Sequence, residues 1–244
     1  MKFKSIFISD IHLGTPDSRS KEVVDFLKEN ECENLFLLGD VIDGWELKRG
    51  SKWKKKDTKF FRFLLKLIIK NTNITYIRGN HDDFLDEIIP FVFDKKFIIR
   101  QDYVYRSNNK SYYLCHGDAF DNITSKVVWL SKLGDIGYNL LLRFNRWYNK
   151  RRIKKGLEYR SISQEIKSKV KIAVEFLLDF EQKCVDYTKY KKCDGVICGH
   201  VHIPSIKQID GIMYMNDGDW VDNMSAIVED YEGNFKILKF QPKS

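Results

Sequence analysis

The chain has 244 residues, 43% of them hydrophobic and 14% aromatic, enough to bury the core of one large domain or of one domain with a sizeable insertion, which excludes a disordered chain. The formal net charge of +8 is unevenly placed, because residues 143 to 192 hold 15 Lys and Arg against 6 Asp and Glu, a net +9. Such a segment points to an anionic partner, whether nucleic acid, a phosphorylated substrate or an acidic membrane surface, with a solvated helix face as the plainer alternative.

In chain order, "KSIFIS" opens as a buried strand that ends at Asp10, and Asp10 and His12 interrupt the N-terminal apolar residues before a signal-peptide core can develop. No apolar run reaches the roughly 18 to 20 residues of a membrane span, so the expectation is a soluble, cytoplasmic protein. A helix follows over 18 to 31 with Ser20 as its cap, then a strand "NLFLLG" ending at Asp40, a basic loop "KRGSKWKKKD" over 48 to 57 expected to border the site, a helix over 57 to 71, and a strand "ITYIRG" ending at Asn80. Two more strands, "SYYLC" and "GVICG", end at His116 and His200. The βαβα alternation predicts an α/β fold, in which ligands bind at the carboxyl ends of the strands.

Between about 123 and 192 the pattern changes to long helical segments, read as a helical insertion in a single domain spanning 1 to 244. Its first half carries Trp129, Leu133, Tyr138, Trp147 and Tyr148 beside Arg143, Arg146, Arg151 and Arg152, a composition suited to an anionic interface or to an ordinary core helix with a solvated face. The tail returns to strands, "SIKQI", "IMYMN", "SAIVED" and "FKILKF", joined by turns at Asp210-Gly211 and Glu232-Gly233-Asn234. The five cysteines form no CxxC pair and are scattered, which suits a reducing compartment, and Cys115 and Cys198 lie in strand-like runs as buried structural thiols.

All five histidines of the chain, at 12, 81, 116, 200 and 202, directly follow predicted strands and sit beside a glycine or a carboxylate. One such histidine is more often structural than a ligand; five at strand ends are a constellation. Mixed nitrogen and oxygen donors suit Mn²⁺, Fe or Zn²⁺, and two such ions share a bridging carboxylate, for which Asp40 is the natural choice, with Asn80 offering a neutral oxygen. Asp10 with His12, and His200 with His202, are spaced so that an extended backbone would turn both side chains to one side.

The ordered set "DIH", "GD", "GNHD", "HGD" and "GHVH", spanning residues 10 to 202, resembles the calcineurin-like metallophosphoesterase family. The resemblance implies a four-layer αββα sandwich of two stacked sheets flanked by helices, with a helical cap insertion, and a two-metal phosphohydrolase. It implies one metal on Asp10, His12, Asp40 and His202, the other on Asp40, Asn80, His116 and His200, and a catalytic pair of His81 with Asp82 beside the phosphate. The metals would be two divalent ions, Mn²⁺ first, with Fe or Zn as alternatives.

Within the family the chain looks like the UDP-2,3-diacylglucosamine pyrophosphatase branch, through "SDIHLG", "GDVIDGWE", "GNHDDFL", "HGDAFD" and "NDGDWVDNMSAIV". That resemblance implies hydrolysis of a nucleotide-sugar lipid to UMP and an acylated sugar 1-phosphate at the inner face of the inner membrane, with substrate contacts from Asn80, His81, Asp121, Lys167 and His200. The branch has arginine where this chain has His81, and imidazole cannot grip a phosphate bidentately as arginine does. A metal-dependent nucleotide or nucleic-acid phosphodiesterase is the alternative, and a non-catalytic scaffold a remoter one.

Overall fold

The computed structural model describes residues 1–121, 151 and 162–242, the side chains of 162–173 excepted. Its strands are β1 (Lys2–Ile8), β2 (Glu31–Leu38), β3 (Asn73–Ile77), β4 (Phe91–Phe93), β5 (Phe97–Arg100), β6 (Tyr103–Ser107), β7 (Lys110–Leu114), β8 (Gly195–Cys198), β9 (Ser205–Ile209), β10 (Ile212–Asn216), β11 (Ser225–Glu229) and β12 (Phe235–Lys239). Helices are α1 (Ser20–Glu29), α2 (Gly44–Lys48), α3 (Lys55–Ile69) and α4 (Ile162–Tyr190), with single 3₁₀ turns at Asp83–Glu87 and Asp118–Phe120.

Seven strands form one sheet in the order β12-β11-β1-β2-β3-β5-β4, and five form a second in the order β6-β7-β8-β10-β9. β1, β2 and β3 run parallel, as the crossover helices α1 and α3 require, and β5 joins them in parallel after the edge strand β4, with Ile6 opposite Leu35 and Leu35 opposite Ile74. The strands have two buried faces, so their side chains alternate between two cores and both must be apolar. Ile6, Ile8, Leu35, Leu37 and Val228 face α1 and α3, where Val23, Phe26, Phe60 and Leu64 meet them. Phe7, Phe36, Leu38, Ile77 and Ile227 face the second sheet, against Tyr105, Tyr112, Leu114, Ile197 and Met215. Phe7 and Phe36 stack with centroids 4.7 Å apart in that layer; truncating Phe36 to Ala would cost about 3 to 5 kcal/mol in transfer and cavity terms. Tyr187, near the end of α4, packs on Tyr113 on the outer side of the second sheet. The layers are thus helix, sheet, sheet, helix, the expected sandwich.

The chain divides into two compact units, residues 1–120 with 182–244, and residues 121–181. The predicted first half of the insertion, with its aromatic and basic residues at 129 to 148 and 152, lies outside the described residues. α4 bears out the predicted second helix, and its residues 182 to 190 belong to the first unit. Among the described residues no helix is long and apolar enough to cross a membrane.

Local expectations hold with three differences. Ser20 is the first residue of α1 and not its cap; Arg19 precedes the helix, and the Ser20 hydroxyl donates to Asp57 Oδ1 at 2.9 Å, tying α1 to α3. The predicted helix over 57 to 71 starts two residues earlier, with Asp57 accepting from Lys54 N at 3.0 Å. The short helix α2, the β4–β5 hairpin and β6 carry no counterpart in the predicted elements. The Asp210-Gly211 turn forms as expected, both residues having positive φ (49° and 81°), the geometry of a two-residue hairpin loop.

Candidate active site

The carboxyl ends of β1, β2 and β3 in one sheet, and of β7 and β8 in the other, open at the same place, and every predicted metal ligand follows one of them. Asp10 and His12 come after β1, Asp40 after β2, Asn80 after β3, His116 after β7, and His200 and His202 after β8. Main-chain bonds lock these loops together: Asp10 N to Gly39 O at 3.1 Å, His12 N to Asp40 O at 2.9 Å, and Gly199 N to His116 O at 3.0 Å.

The predicted means of convergence is corrected. Asp10, His12, Asp40, His200 and His202 have φ of 52°, 49°, 50°, 69° and 56°, so the pairs meet through left-handed turns after the strands have ended and not through strand alternation. Such conformations cost non-glycine residues on the order of 1 kcal/mol or more each, and persist where the surroundings hold them. Crowding explains two glycines: a Cβ at Gly79 would meet Asp40 Oδ1, and one at Gly199 would meet Ser9 Oγ.

The side chains form one cluster. Asp10 Oδ1 lies 3.0 Å from His202 Nε2 and 3.7 Å from His12 Nε2. Asp40 Oδ2 lies 3.3 Å from His116 Nε2, 3.9 Å from His12 Nε2 and 4.0 Å from His81 Nε2. His200 Nδ1 is 3.3 Å from His116 Nε2, and its main-chain N donates to Asp10 Oδ2 at 3.0 Å. Asp40 thus lies between the groups of both predicted metal sites. The histidine rings are aimed from behind: His116 Nδ1 is 2.8 Å from Leu38 O, leaving Nε2 for the cluster, as ligating imidazoles are usually held.

The donor set fits divalent cations. Asp10 and Asp40 are buried carboxylates, and Asn80 Oδ1 is buried with no hydrogen-bond partner, an oxygen whose desolvation a cation would offset. Burial opposes charge on Asp10, yet the His202 charge and the bonds from His12 and His202 hold its carboxyl well below the usual range. Burial likewise opposes charge on Asp40, and His116 brings it down to about 2. Against their own burial, His12 is pushed up to about 10 by Asp10 and Asp43, and His116 is raised well above the usual value by Asp40. Protons on these imidazoles balance the carboxylates, and they are the protons that bound cations would displace.

The expected pairing of His81 with Asp82 is not the one the structure shows; Asp43, to which the sequence assigned no role, stands beside His81 instead. Asp82 is fully buried, and its carboxylate accepts from Val41 N (3.1 Å), Ile42 N (2.8 Å), Gly79 N (3.3 Å) and Tyr76 Oη (2.8 Å), which fastens the β2 loop to the β3 loop. Burial and then the Asp40 charge push it up to about 7. The group beside His81 is Asp43, with Oδ2 2.9 Å from His81 Nδ1 and 3.1 Å from His12 Nδ1, while Oδ1 caps α2 through Glu46 N at 2.8 Å. Burial works against that carboxylate's charge, but His12 and His81 keep it well below the usual range. The "DGWE" of residues 43 to 46 is legible as a helix cap; its second use is a matter of tertiary geometry. Trp45 follows, its ring 4.4 Å from that of His81, so the basic loop after α2 leaves from the rim of the site.

Of the other expected substrate contacts, Asp121 and Lys167 belong to the second unit, and the Lys167 side chain lies outside the described ones. A loop not foreseen as part of the site supports it from below. Ser9 Oγ, 2.5 Å from Asp10 Oδ2, is also 2.6 Å from Asp217 Oδ1, and Asn223 Nδ2 donates to His202 O at 2.9 Å.

A family model described as calcineurin-like phosphoesterase matches residues 3–204. A crystal structure of a hypothetical protein from Pyrococcus horikoshii OT3 is similar in fold, with a TM-score of 0.51, 11% identity, and coverage of 100% of this chain and 89% of the other. YfcE, a phosphoesterase from E. coli, aligns at 15% identity with a TM-score of 0.46, covering 97% and 99%, and an archaeal phosphodiesterase aligns with the same values. No curated protein matches the sequence.

Proposed function

The chain belongs to the calcineurin-like phosphoesterase family, and from that premise we propose that it is a two-metal hydrolase of a pyrophosphate in a nucleotide-sugar lipid, UDP-2,3-diacylglucosamine or a close analogue. The single observation that carries the two-metal reading is the placement of Asp40 between two sets of donors, Asp10, His12 and His202 on one side and His116 and His200 on the other; Asn80, in the loop after β3, adds a buried oxygen with no hydrogen-bond partner.

When bound, a pair of divalent cations, Mn²⁺ first among candidates, would polarise the phosphoryl oxygens and acidify a water. Asp10, His12, Asp40 and His202 would hold one, and Asp40, Asn80, His116 and His200 the other. The chain's own residues do the rest. His81 Nδ1 faces Asp43, so its Nε2 is free to hydrogen-bond the phosphate or to give a proton to the leaving oxygen. Asp43 orients His12 through the same oxygen, so the imidazole that meets the phosphate and one that meets a cation are set by one carboxylate. Trp45 covers one side of His81 and limits water there.

"SDIHLG", "GDVIDGWE" and "NDGDWVDNMSAIV" support the nucleotide-sugar lipid substrate. His81 in the branch's arginine position favours a second reading, a nucleotide or nucleic-acid phosphodiesterase. An assay with Mn²⁺ on UDP-diacylglucosamine, a dinucleoside polyphosphate, bis-p-nitrophenyl phosphate and single-stranded DNA separates them. UMP release from the first, far faster than turnover of the others, supports the lipid substrate. Its absence, with turnover of the others, leaves the second reading standing.

A further inference from the structure

We propose that the face built from α3 and the β4–β5 hairpin docks on an anionic lipid surface. This is an inference about where the enzyme works, and it stands whichever phosphoester is cleaved.

α3 has three sectors where an ordinary surface helix has two. Asp57, Phe60, Leu64, Leu67 and Ile68 are buried against the large sheet. Next around the helix come Phe61, Leu65 and Ile69, one turn apart, of which Leu65 is 51% and Ile69 81% exposed. Beyond them Lys55, Lys59, Arg62, Lys66 and the C-cap Lys70 form an exposed stripe at spacings of three and four residues. An apolar sector bordered by cations is the arrangement of a helix that lies in a bilayer interface.

The apolar sector is continued by its neighbours. Trp53, 40% exposed, stacks on Phe61 with centroids 6.0 Å apart. Leu65 and Phe61 share a groove of about 300 Å³ with Phe91 and Phe93, and the groove's lining is apolar throughout. β4 is an edge strand, and its three residues Phe91, Val92 and Phe93 are all exposed. Edge strands of soluble proteins are usually guarded by charge or proline within the strand, and this one presents two phenylalanines and a valine.

Charge chooses the occupant. Residues 48 to 70 contain ten Lys and Arg and one acid, Asp57, which is buried between Ser20 and Lys54. Asp86, Glu87 and Asp94 are the exposed acids next to the hairpin, Asp86 being paired with Arg78, and they are too few to balance the stripe. A second copy of the chain would bring like charges together, and a nucleic acid would leave the apolar sector in water. An anionic bilayer accepts both the cations and the apolar side chains. The basic run begins at α2, whose Trp45 lies on His81, so docking here brings the catalytic rim next to the lipid headgroups.

The test is co-sedimentation of the full chain with vesicles of phosphatidylcholine alone or mixed with phosphatidylglycerol. Binding to the mixed vesicles and not to pure phosphatidylcholine, weakened by salt, is expected. Lys59→Gln with Lys66→Gln should lower the partition about thirtyfold, and Leu65→Ser with Ile69→Ser should lower it by a similar factor, both variants keeping the thermal unfolding and bis-p-nitrophenyl phosphate hydrolysis of the parent. Equal binding by both variants and parent, no binding to mixed vesicles, or a dimer that these substitutions dissolve would overturn the proposal. Failure of the parent to turn over any of the phosphoesters named above with Mn²⁺ would instead count against the phosphoesterase reading and leave the docking result to stand by itself.

Discussion

His81 Nδ1 lies 2.9 Å from Asp43 Oδ2. The same oxygen reaches His12, so Asp43→Asn weakens two alignments at once while its Oδ1 equivalent can still cap α2. A fall in kcat of about 10 to 100-fold is expected, the usual effect of removing the partner behind an active imidazole. Steady-state kinetics with parallel metal analysis checks it; an unchanged kcat would remove Asp43 from the machinery.

Asp82 should behave differently. Asp82→Ala strands the buried donors of Val41, Ile42 and Tyr76, and each costs about 1 to 3 kcal/mol when left unpaired. Urea unfolding of the metal-free protein should show at least about 3 kcal/mol of lost stability. A variant as stable as the parent would show that these bonds are replaced by water.

His81→Ala should slow turnover while metal content stays at the parental level, since the proposed role of His81 is at the phosphate and Asp43 still lies 3.1 Å from His12. His81→Arg tests substrate choice: a rise in kcat/KM for UDP-diacylglucosamine relative to bis-p-nitrophenyl phosphate is expected if a bidentate grip on the phosphate was lost in this chain. Metal loss in His81→Ala would place the residue among the ligands.

Metal binding should release protons near neutral pH. His12 is pushed up to about 10 and His116 well above its ordinary value, so both hold protons in the metal-free protein, and ligation requires them neutral. Apparent affinity therefore rises with pH from neutrality toward about 10, and calorimetry in two buffers of different ionisation enthalpy should give heats that differ by the protons released. Equal heats would mean the imidazoles are already neutral.

Much of the cluster was legible because its logic is local: a buried run followed by a polar pivot marks the end of a strand, and the five pivots name side chains that the structure brings together. What escaped is relational. Asp43 and Asp82 are both acidic, both near a glycine and both close in sequence to a ligand; only packing shows that one meets two imidazoles and the other four donors of the backbone and Tyr76. The β4–β5 hairpin was hidden because β4 has three residues, all exposed, with no alternation between buried and solvent-facing positions to reveal it. The left-handed turns at the ligands were equally invisible, since Asp and His at positive φ are set by surrounding contacts and leave no mark in composition.

The donors also come from both sheets: Asp10, His12, Asp40 and Asn80 from the larger, His116, His200 and His202 from the smaller. A chain emerging from the ribosome would have made every donor of the first group, and His116, well before the strand that carries the last two. Until β8 slots between β7 and β10, Asp10 lacks the His202 imidazole that lies 3.0 Å from it, and His116 lacks its neighbour His200. On the two-metal reading, completion of the smaller sheet is therefore the event that would complete the donor set, and a chain cut short of residue 200 would carry most of the candidate donors yet lack His200 and His202.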